Sequence, residues 1–154
     1  MARQYAVTFT AVAISAAQDV FEITPADDKP CRIVSCRLGQ YSDVGDANSE
    51  NLSVQVIRGY TASGSGGSSA TPAPMDPGDA AASFTAEVNN TTVANTGTAV
   101  TLHSDVWNTQ AGYAENFPEN VQPGVSQANT TLVVRITAPA DALTSNGTLI
   151  VEEL

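Results

Sequence analysis

Positive charge is scarce in this 154-residue chain, where six lysines and arginines stand against sixteen aspartates and glutamates, for a formal net charge of -10. Residues 59–154 hold nine acids and one base, a net charge of -8. Non-specific binding to nucleic acid or to an anionic membrane requires a basic surface. No apolar run approaches the roughly 20 residues that span a bilayer. We therefore expect neither a nucleic-acid partner nor a membrane partner.

Catalytic motifs are also scarce. His103 is the only histidine, and Ser104 and Asp105 follow it directly. Successive side chains of a strand point to opposite faces, so these three residues do not assemble a hydrolytic triad. The SGSGG segment lacks the lysine and the strand-to-helix context of a phosphate-binding loop. The sequence therefore predicts a protein that is not an enzyme, with no catalytic residue and no cofactor.

Only two cysteines occur, Cys31 and Cys36. Five residues of extended strand separate them by about 17 Å, and the odd spacing predicts that they lie on opposite faces. Two thiols are also too few for a zinc site, which usually needs four ligands. We expect two reduced, packed thiols, as in a protein that folds in a reducing cytoplasm.

Short segments of alternating apolar and polar residues, separated by turn-rich stretches, make up most of the chain. No amphipathic helical pattern of ten or more residues interrupts them. The pattern predicts one all-β domain over residues 1–154, and connections of uneven length favour a jelly-roll-like β-sandwich of about eight strands over an up-and-down barrel. The strands are expected at residues 5–9, 21–23, 34–38, 52–56, 83–88, 98–103, 131–137 and 148–152.

The longest interruption, residues 61–82, is rich in glycine, serine and proline. Glycine and serine predict flexibility, and Pro72, Pro74 and Pro77 are expected to prevent pairing in a sheet. A connection this long inside a compact domain is usually functional or mobile, so a partner contact and a solvated mobile loop both stay open. Deletion of Ser63–Ser69 is expected to leave the domain folded, because such residues bury little.

An acidic run lies between the third and fourth predicted strands. Asp43, Asp46, Asn48 and Glu50 offer oxygen ligands of the kind that calcium prefers. The run lacks the residue order of an EF-hand loop, and an acidic turn is the simpler interpretation. No metal site is therefore predicted.

Aromatic residues concentrate between positions 107 and 117. Trp107 and Tyr113 would suit a platform on which a sugar stacks, although a buried or interfacial tryptophan is more common in a sandwich of this size. Tyr113 and Phe117 lie in an irregular stretch. We expect their rings to pack against something, such as another subunit.

Framework segments along nearly the whole chain resemble a group of short virion proteins of tailed bacteriophages and prophages, associated with the head. These segments are AAQDVFEITPADDKPCRI, LGQYSDVGDAN, VIRGYTASGSGGS, AAASFTAEVNNTT, SQANTTLVVRI and GTLIVEEL. The resemblance implies a non-enzymatic capsid decoration or cement protein. Its partners would be the major capsid protein and further copies of this chain in a homotrimer. It would be assembled in the host cytoplasm and lie on the capsid surface of the virion.

Under that interpretation, partner contacts are expected in an N-terminal arm, Ala2–Tyr5, in the Thr61–Asp79 part of the long interruption, and in the aromatic stretch Tyr113–Phe117. The expected contact residues are Arg3, Tyr5, Ser63, Ser65, Met75, Tyr113 and Phe117. The first alternative function is a tail or spike adsorption module that binds host surface glycan through Trp107 and Tyr113. A second alternative is a hydrolase of the host envelope.

Overall fold

The computed structural model describes residues 2–41 and 49–154, which form twelve strands and a single 3₁₀ turn at Glu119–Val121. The strands are β1 (Arg3–Ile14), β2 (Gln18–Thr24), β3 (Cys31–Gln40), β4 (Asn51–Tyr60), β5 (Ser68–Ala70), β6 (Ala73–Pro74), β7 (Thr85–Asn90), β8 (Gly97–Asn108), β9 (Tyr113–Asn116), β10 (Gly124–Val125), β11 (Thr131–Ile136) and β12 (Leu143–Glu153). Within the described ranges, no helix has the length and apolar character needed to cross a membrane.

Two antiparallel sheets pack face to face. The first has the order β10-β3-β12-β1-β6, with β9 also pairing along β3, and the second has the order β5-β7-β2-β11-β4-β8. Four strands of the first sheet, in the order β1-β12-β3-β9, therefore face four strands of the second, in the order β2-β11-β4-β8. In the first sheet, the first strand of the chain pairs with the last. Two such facing four-stranded sheets have the strand order of a jelly roll. The predicted all-β sandwich is confirmed, but the strand count is twelve instead of eight. The four additional strands are two to four residues long.

The core lies between the two sheets and is filled by alternate residues of each long strand. Tyr5, Val7 and Phe9 of β1 are buried in one continuous apolar cluster with residues of the facing sheet. The rings of Phe9 and Phe21 lie with their centroids 5.2 Å apart, within the usual range for an aromatic pair. The period-two pattern of the sequence thus predicted this part of the core correctly.

Cys31 and Cys36 both lie in this core, so their predicted placement on opposite faces is wrong. The ladder between β3 and β12 slips by one residue, leaving Val34 as the extra residue of a β-bulge. The extra residue reverses the alternation, so two cysteines with an odd spacing face the same side. Val34 itself is only half-buried. Both thiols are unbridged, as predicted.

We expect neither thiol to react with an aromatic disulfide reagent in the native protein at about pH 8, because the thiolate is the reactive species. Burial raises the pKa of Cys31 and of Cys36 to about 12, with smaller contributions from Glu153 and Glu115 respectively. Absorbance should report two thiols only after the protein is unfolded in guanidinium chloride. Rapid labelling of the native protein would contradict the burial of both side chains.

The 61–82 segment is paired along both sheets and is not a structureless loop. β5 pairs with β7, and β6 pairs with β1, where Pro74 lies opposite Tyr5. An edge strand uses only one of its two rows of backbone groups, so proline is tolerated there. The Met75 N–H donates to the Gln4 carbonyl oxygen at 2.8 Å. The prediction that the prolines prevent sheet pairing is therefore wrong for Pro74.

A second, smaller cluster covers the outer side of the second sheet. Ile57, Tyr60, Ala94 and Val133 form it, and the connection between β7 and β8 supplies Ala94. Next to this cluster the Arg135 guanidinium forms an ion pair with the fully buried Asp19 carboxylate. The part of the outer face around Ile57 and Val133 is therefore covered by the chain itself.

Candidate functional site

The four edges of the two sheets differ in length. Three of them are formed by β5, by β6 and by β9 with β10, strands of two to four residues. The fourth edge is β8, with 12 residues. Short edge strands limit pairing with another chain, whereas a long one presents a row of free backbone N–H and C=O groups. β8 is therefore the long open edge of the described sandwich.

Two apolar side chains of β8 are exposed. Val100 is 44% and Val106 59% accessible, although valine is usually buried in sheets. β8 pairs with β4 alone among the described strands, and this ladder contains two register shifts. The edge thus combines backbone hydrogen-bonding groups with apolar side chains, as a site for strand addition requires.

Titratable side chains meet where the middle of β8 lies beside β9. One ring nitrogen of His103 and one carboxylate oxygen each of Asp105 and Glu115 lie within 4.8 Å of one another. The hydroxyl of Tyr113 lies 3.4 Å from His103 Nε2. Burial raises the pKa of Tyr113, and the nearby Cys36, Asp105 and Glu115 raise it further. This group lies between the edge strands of two different sheets.

The aromatic stretch packs within the chain itself. The Phe117 ring meets the His103 ring edge-on, with centroids 5.0 Å apart, and both Tyr113 and Phe117 are buried. Trp107 is 1% exposed, and its Nε1–H donates to the Ala111 carbonyl oxygen at 2.7 Å. Trp107 and Tyr113 therefore do not form an exposed platform on which a sugar could stack.

The N-terminal arm and the 61–82 segment contact each other. Arg3 Nε lies 3.5 Å from an Asp79 carboxylate oxygen, and the Tyr5 hydroxyl donates to the Ala80 carbonyl oxygen at 3.1 Å. Tyr5 is fully buried, so its side chain has no free surface in this chain. Arg3 is partly accessible, and Met75 is 57% exposed. The partner contacts predicted for Arg3 and Met75 stay predictions.

Ser63 and Ser65 lie on the outer side of β2 and β7. Ser63 Oγ donates to a Glu87 carboxylate oxygen at 2.6 Å, and Ser65 forms an isolated bridge with Thr92. Both serines are exposed. Between them, the Gly64 N–H donates to a carboxylate oxygen of the buried Glu22 at 3.1 Å. The partner contacts predicted for Ser63 and Ser65 stay predictions, and the backbone between the two serines is hydrogen-bonded to the sheet.

The acidic run between β3 and β4, which was considered as a calcium site, lies mainly outside the residues that the structure describes. Asp43, Asp46 and Asn48 belong to the part of the chain that the structure does not describe. The Glu50 carboxylate accepts a hydrogen bond from the Ala140 N–H at 2.6 Å. Glu50 therefore has a structural partner in the turn that follows β11.

The meeting of His103 with Glu115 was not predicted from the sequence. Asp105 follows His103 at a spacing of two, so the two residues share a face of one strand. Glu115 comes from a four-residue strand in the other sheet, and no local pattern links it to them. Only the jelly-roll winding brings these strands together.

Comparison with known proteins assigns this chain to no family. A scan against protein-family models found no match, and a search of curated proteins found no similar sequence.

Proposed function

We propose that this chain is a non-enzymatic structural protein of a tailed-phage virion, which binds the outer capsid lattice as a decoration or cement protein. The resemblance of its framework segments supports this proposal, as does the jelly-roll winding, which viral capsid domains use. A fold alone does not define a function, because unrelated functions share the same folds. The observation that carries the proposal is therefore the open edge along β8.

The mechanism is strand addition from the capsid protein onto β8. Backbone groups of this edge would pair with an extended capsid segment, and Val100 and Val106 would lose their exposed apolar surface. The Val106 N–H donates to Asp105 Oδ1 at 2.7 Å and would have to exchange that partner for the capsid segment. Stable interfaces bury about 1,200–2,000 Å² in total, so the surrounding surface must contribute as well. Bound between neighbouring capsomers, the protein would add contacts that oppose the pressure of packaged DNA. Its net charge of -10 disfavours binding to that DNA.

We expect Val106→Lys to weaken capsid binding at least about tenfold, because a lysine on an edge strand hinders strand addition. Val121→Lys is the matched control, since Val121 is equally exposed at 60% but lies in the 3₁₀ turn. The measurement is co-sedimentation with undecorated capsids of the phage that encodes the chain. Circular dichroism should show the wild-type strand signal for both variants.

Each outcome of this experiment tests a separate statement. Wild-type protein that stays in the supernatant with capsids, and shifts duplex DNA in a gel, would overturn the proposed function. Equal sedimentation of Val106→Lys and wild type would refute only the β8 contact.

The protein is also proposed to form a homotrimer, as the resemblance to decoration proteins implies. Light scattering on the purified protein should give the mass of three chains of 15.9 kDa each without added metal. Symmetric trimers present each contact surface three times, which suits a repeating lattice. A monomeric mass at micromolar concentration would contradict the trimer.

A further inference from the structure

We propose that His103, Asp105 and Glu115 bind one divalent transition-metal ion, which links the edge of one sheet to the edge of the other. The proposal rests on the geometry of these three side chains and does not depend on the proposed role in a virion. Metal binding would be the function of this cluster of titratable side chains, which lies beside the open edge of β8.

The positions of the donor atoms support this site. One donor atom from each residue lies within 4.8 Å of the other two. A zinc ion lies about 2.0–2.2 Å from nitrogen and oxygen ligands, which places tetrahedral ligand atoms about 3.5 Å apart. Small side-chain rotations suffice to reach that spacing, because Asp105 is exposed and the other two side chains are half-buried.

The register of the strands shows that all three side chains point toward the space between the sheets. His103 lies opposite Val56 and Asp105 opposite Val54, both core residues of β4. Glu115 lies opposite the buried Cys36 of β3. Most inward positions of the long strands hold apolar side chains, with Ser145 and Glu153 of β12 among the polar exceptions. Three polar donors that meet at one end of the sandwich are therefore unusual for its interior.

The electrostatics of the group favour a bound cation. Two carboxylates this close repel each other, and an adjacent positive charge stabilises both. None of the ion pairs among the described residues involves Asp105 or Glu115. A divalent ion would supply the missing positive charge at the point where the two strands approach.

Buried aromatic residues hold the histidine in place. The Phe117 ring packs edge-on against the imidazole, and the Tyr113 hydroxyl contacts its Nε2. Metal-binding histidines are commonly oriented by such outer partners, which fix the ring and raise the metal affinity. Tyr113 and Phe117 would thus be positioning residues for the metal ligand.

The donor set also limits the choice of metal. Imidazole suits zinc, cobalt and other transition metals, whereas calcium and magnesium take oxygen ligands almost exclusively. Three protein ligands leave at least one coordination position, which water would fill because Asp105 is exposed. The ion would link β8 to β9, strands that no ladder connects in the described sandwich.

The protein is first treated with a chelator to remove any bound metal, and the chelator is then removed. Calorimetric titration of this protein with Zn²⁺ tests the proposal. The wild type should bind one ion, and Glu115→Gln and Asp105→Asn should each bind at least about tenfold more weakly. Glu119→Gln is the matched control, because Glu119 is an exposed carboxylate four residues from Glu115. Co²⁺ should give a visible absorption band with the wild type that Glu115→Gln loses.

Binding should also raise the thermal unfolding midpoint of the wild type, since a ligand that binds only the folded state stabilises it. The full-length protein is used throughout, and both ligand variants should keep the wild-type midpoint in the presence of chelator. Absence of Zn²⁺ binding by the wild type would overturn the proposal, and so would equal affinity of the wild type and both ligand variants.

Discussion

Replacement of Arg135 by methionine is expected to lower the free energy of unfolding by about 3–5 kcal/mol, because it leaves a buried carboxylate without its cation. Asp19 is fully buried, and its two carboxylate oxygens accept from Arg135 Nε at 2.6 Å and from an Arg135 terminal nitrogen at 3.0 Å. Arg135 also donates to the Tyr60 hydroxyl and to the Ala94 carbonyl oxygen. Urea denaturation followed by circular dichroism measures the loss.

The matched control for this prediction is Arg37→Met, which removes an exposed arginine from β3. Its effect should stay within about 0.5 kcal/mol, as is usual for surface substitutions. The double variant Asp19→Asn with Arg135→Met should be more stable than Arg135→Met alone, since no charge is then left unpaired. An Arg135→Met protein as stable as the control would show that the ion pair does not hold β2 and β11 together.

Replacement of Gly67 by alanine should destabilise the protein by about 2–3 kcal/mol, because the segment before β5 lies directly on the sheet. An added Cβ would overlap the Val88 carbonyl oxygen and lie 2.6 Å from Asn90 Oδ1. That same Oδ1 accepts a hydrogen bond from the Gly67 N–H at 3.2 Å. The backbone would have to move away from β7 and lose this hydrogen bond.

Gly112→Ala is the matched control, because an added Cβ there meets nothing within 4 Å. Thermal unfolding should give a clearly lower midpoint for Gly67→Ala than for Gly112→Ala. Deletion of Ser63–Ser69, predicted from the sequence to leave the fold intact, should instead be strongly destabilising. It removes part of β5 and the backbone donors to Glu22 and Asn90. Equal midpoints would show that the segment is a dispensable loop after all.

The long strands were predictable because each buries alternate side chains over several residues. β6 and β10 are only two residues long, which is too short to show a period. The bulge at Val34 was not predictable, because it results from pairing with β12 and not from any special residue type. Alternation therefore predicts which segments are strands, but not where their register changes.

The 61–82 segment shows how composition can mislead. Its glycines predicted flexibility, whereas they allow the backbone to lie close against the sheet. An added Cβ at Gly64 would lie 2.5 Å from the Thr92 carbonyl oxygen. Glycine is used both where a chain is flexible and where its backbone must lie close to a neighbour, and only the atoms around the backbone show which case applies.

The candidate site was not predicted from the sequence. His103 and Asp105, with Ser104 between them, were noted in the sequence only as residues that do not assemble a triad, and the structure adds Glu115 from another sheet. Tyr113 and Phe117 were predicted to need a packing partner, and the partner is His103 within the same chain. Long-range contacts of this kind depend on the order of strands, which period-two patterns do not contain.

The location of the protein on virions is the most direct test of the proposed function. Negative-stain images of purified particles, labelled with a gold-conjugated antibody against this chain, measure that location. We predict gold on the outer surface of the heads, in numbers that reflect a repeated lattice site. Gold confined to the tails, or particles that contain none of this protein, would contradict a capsid decoration protein.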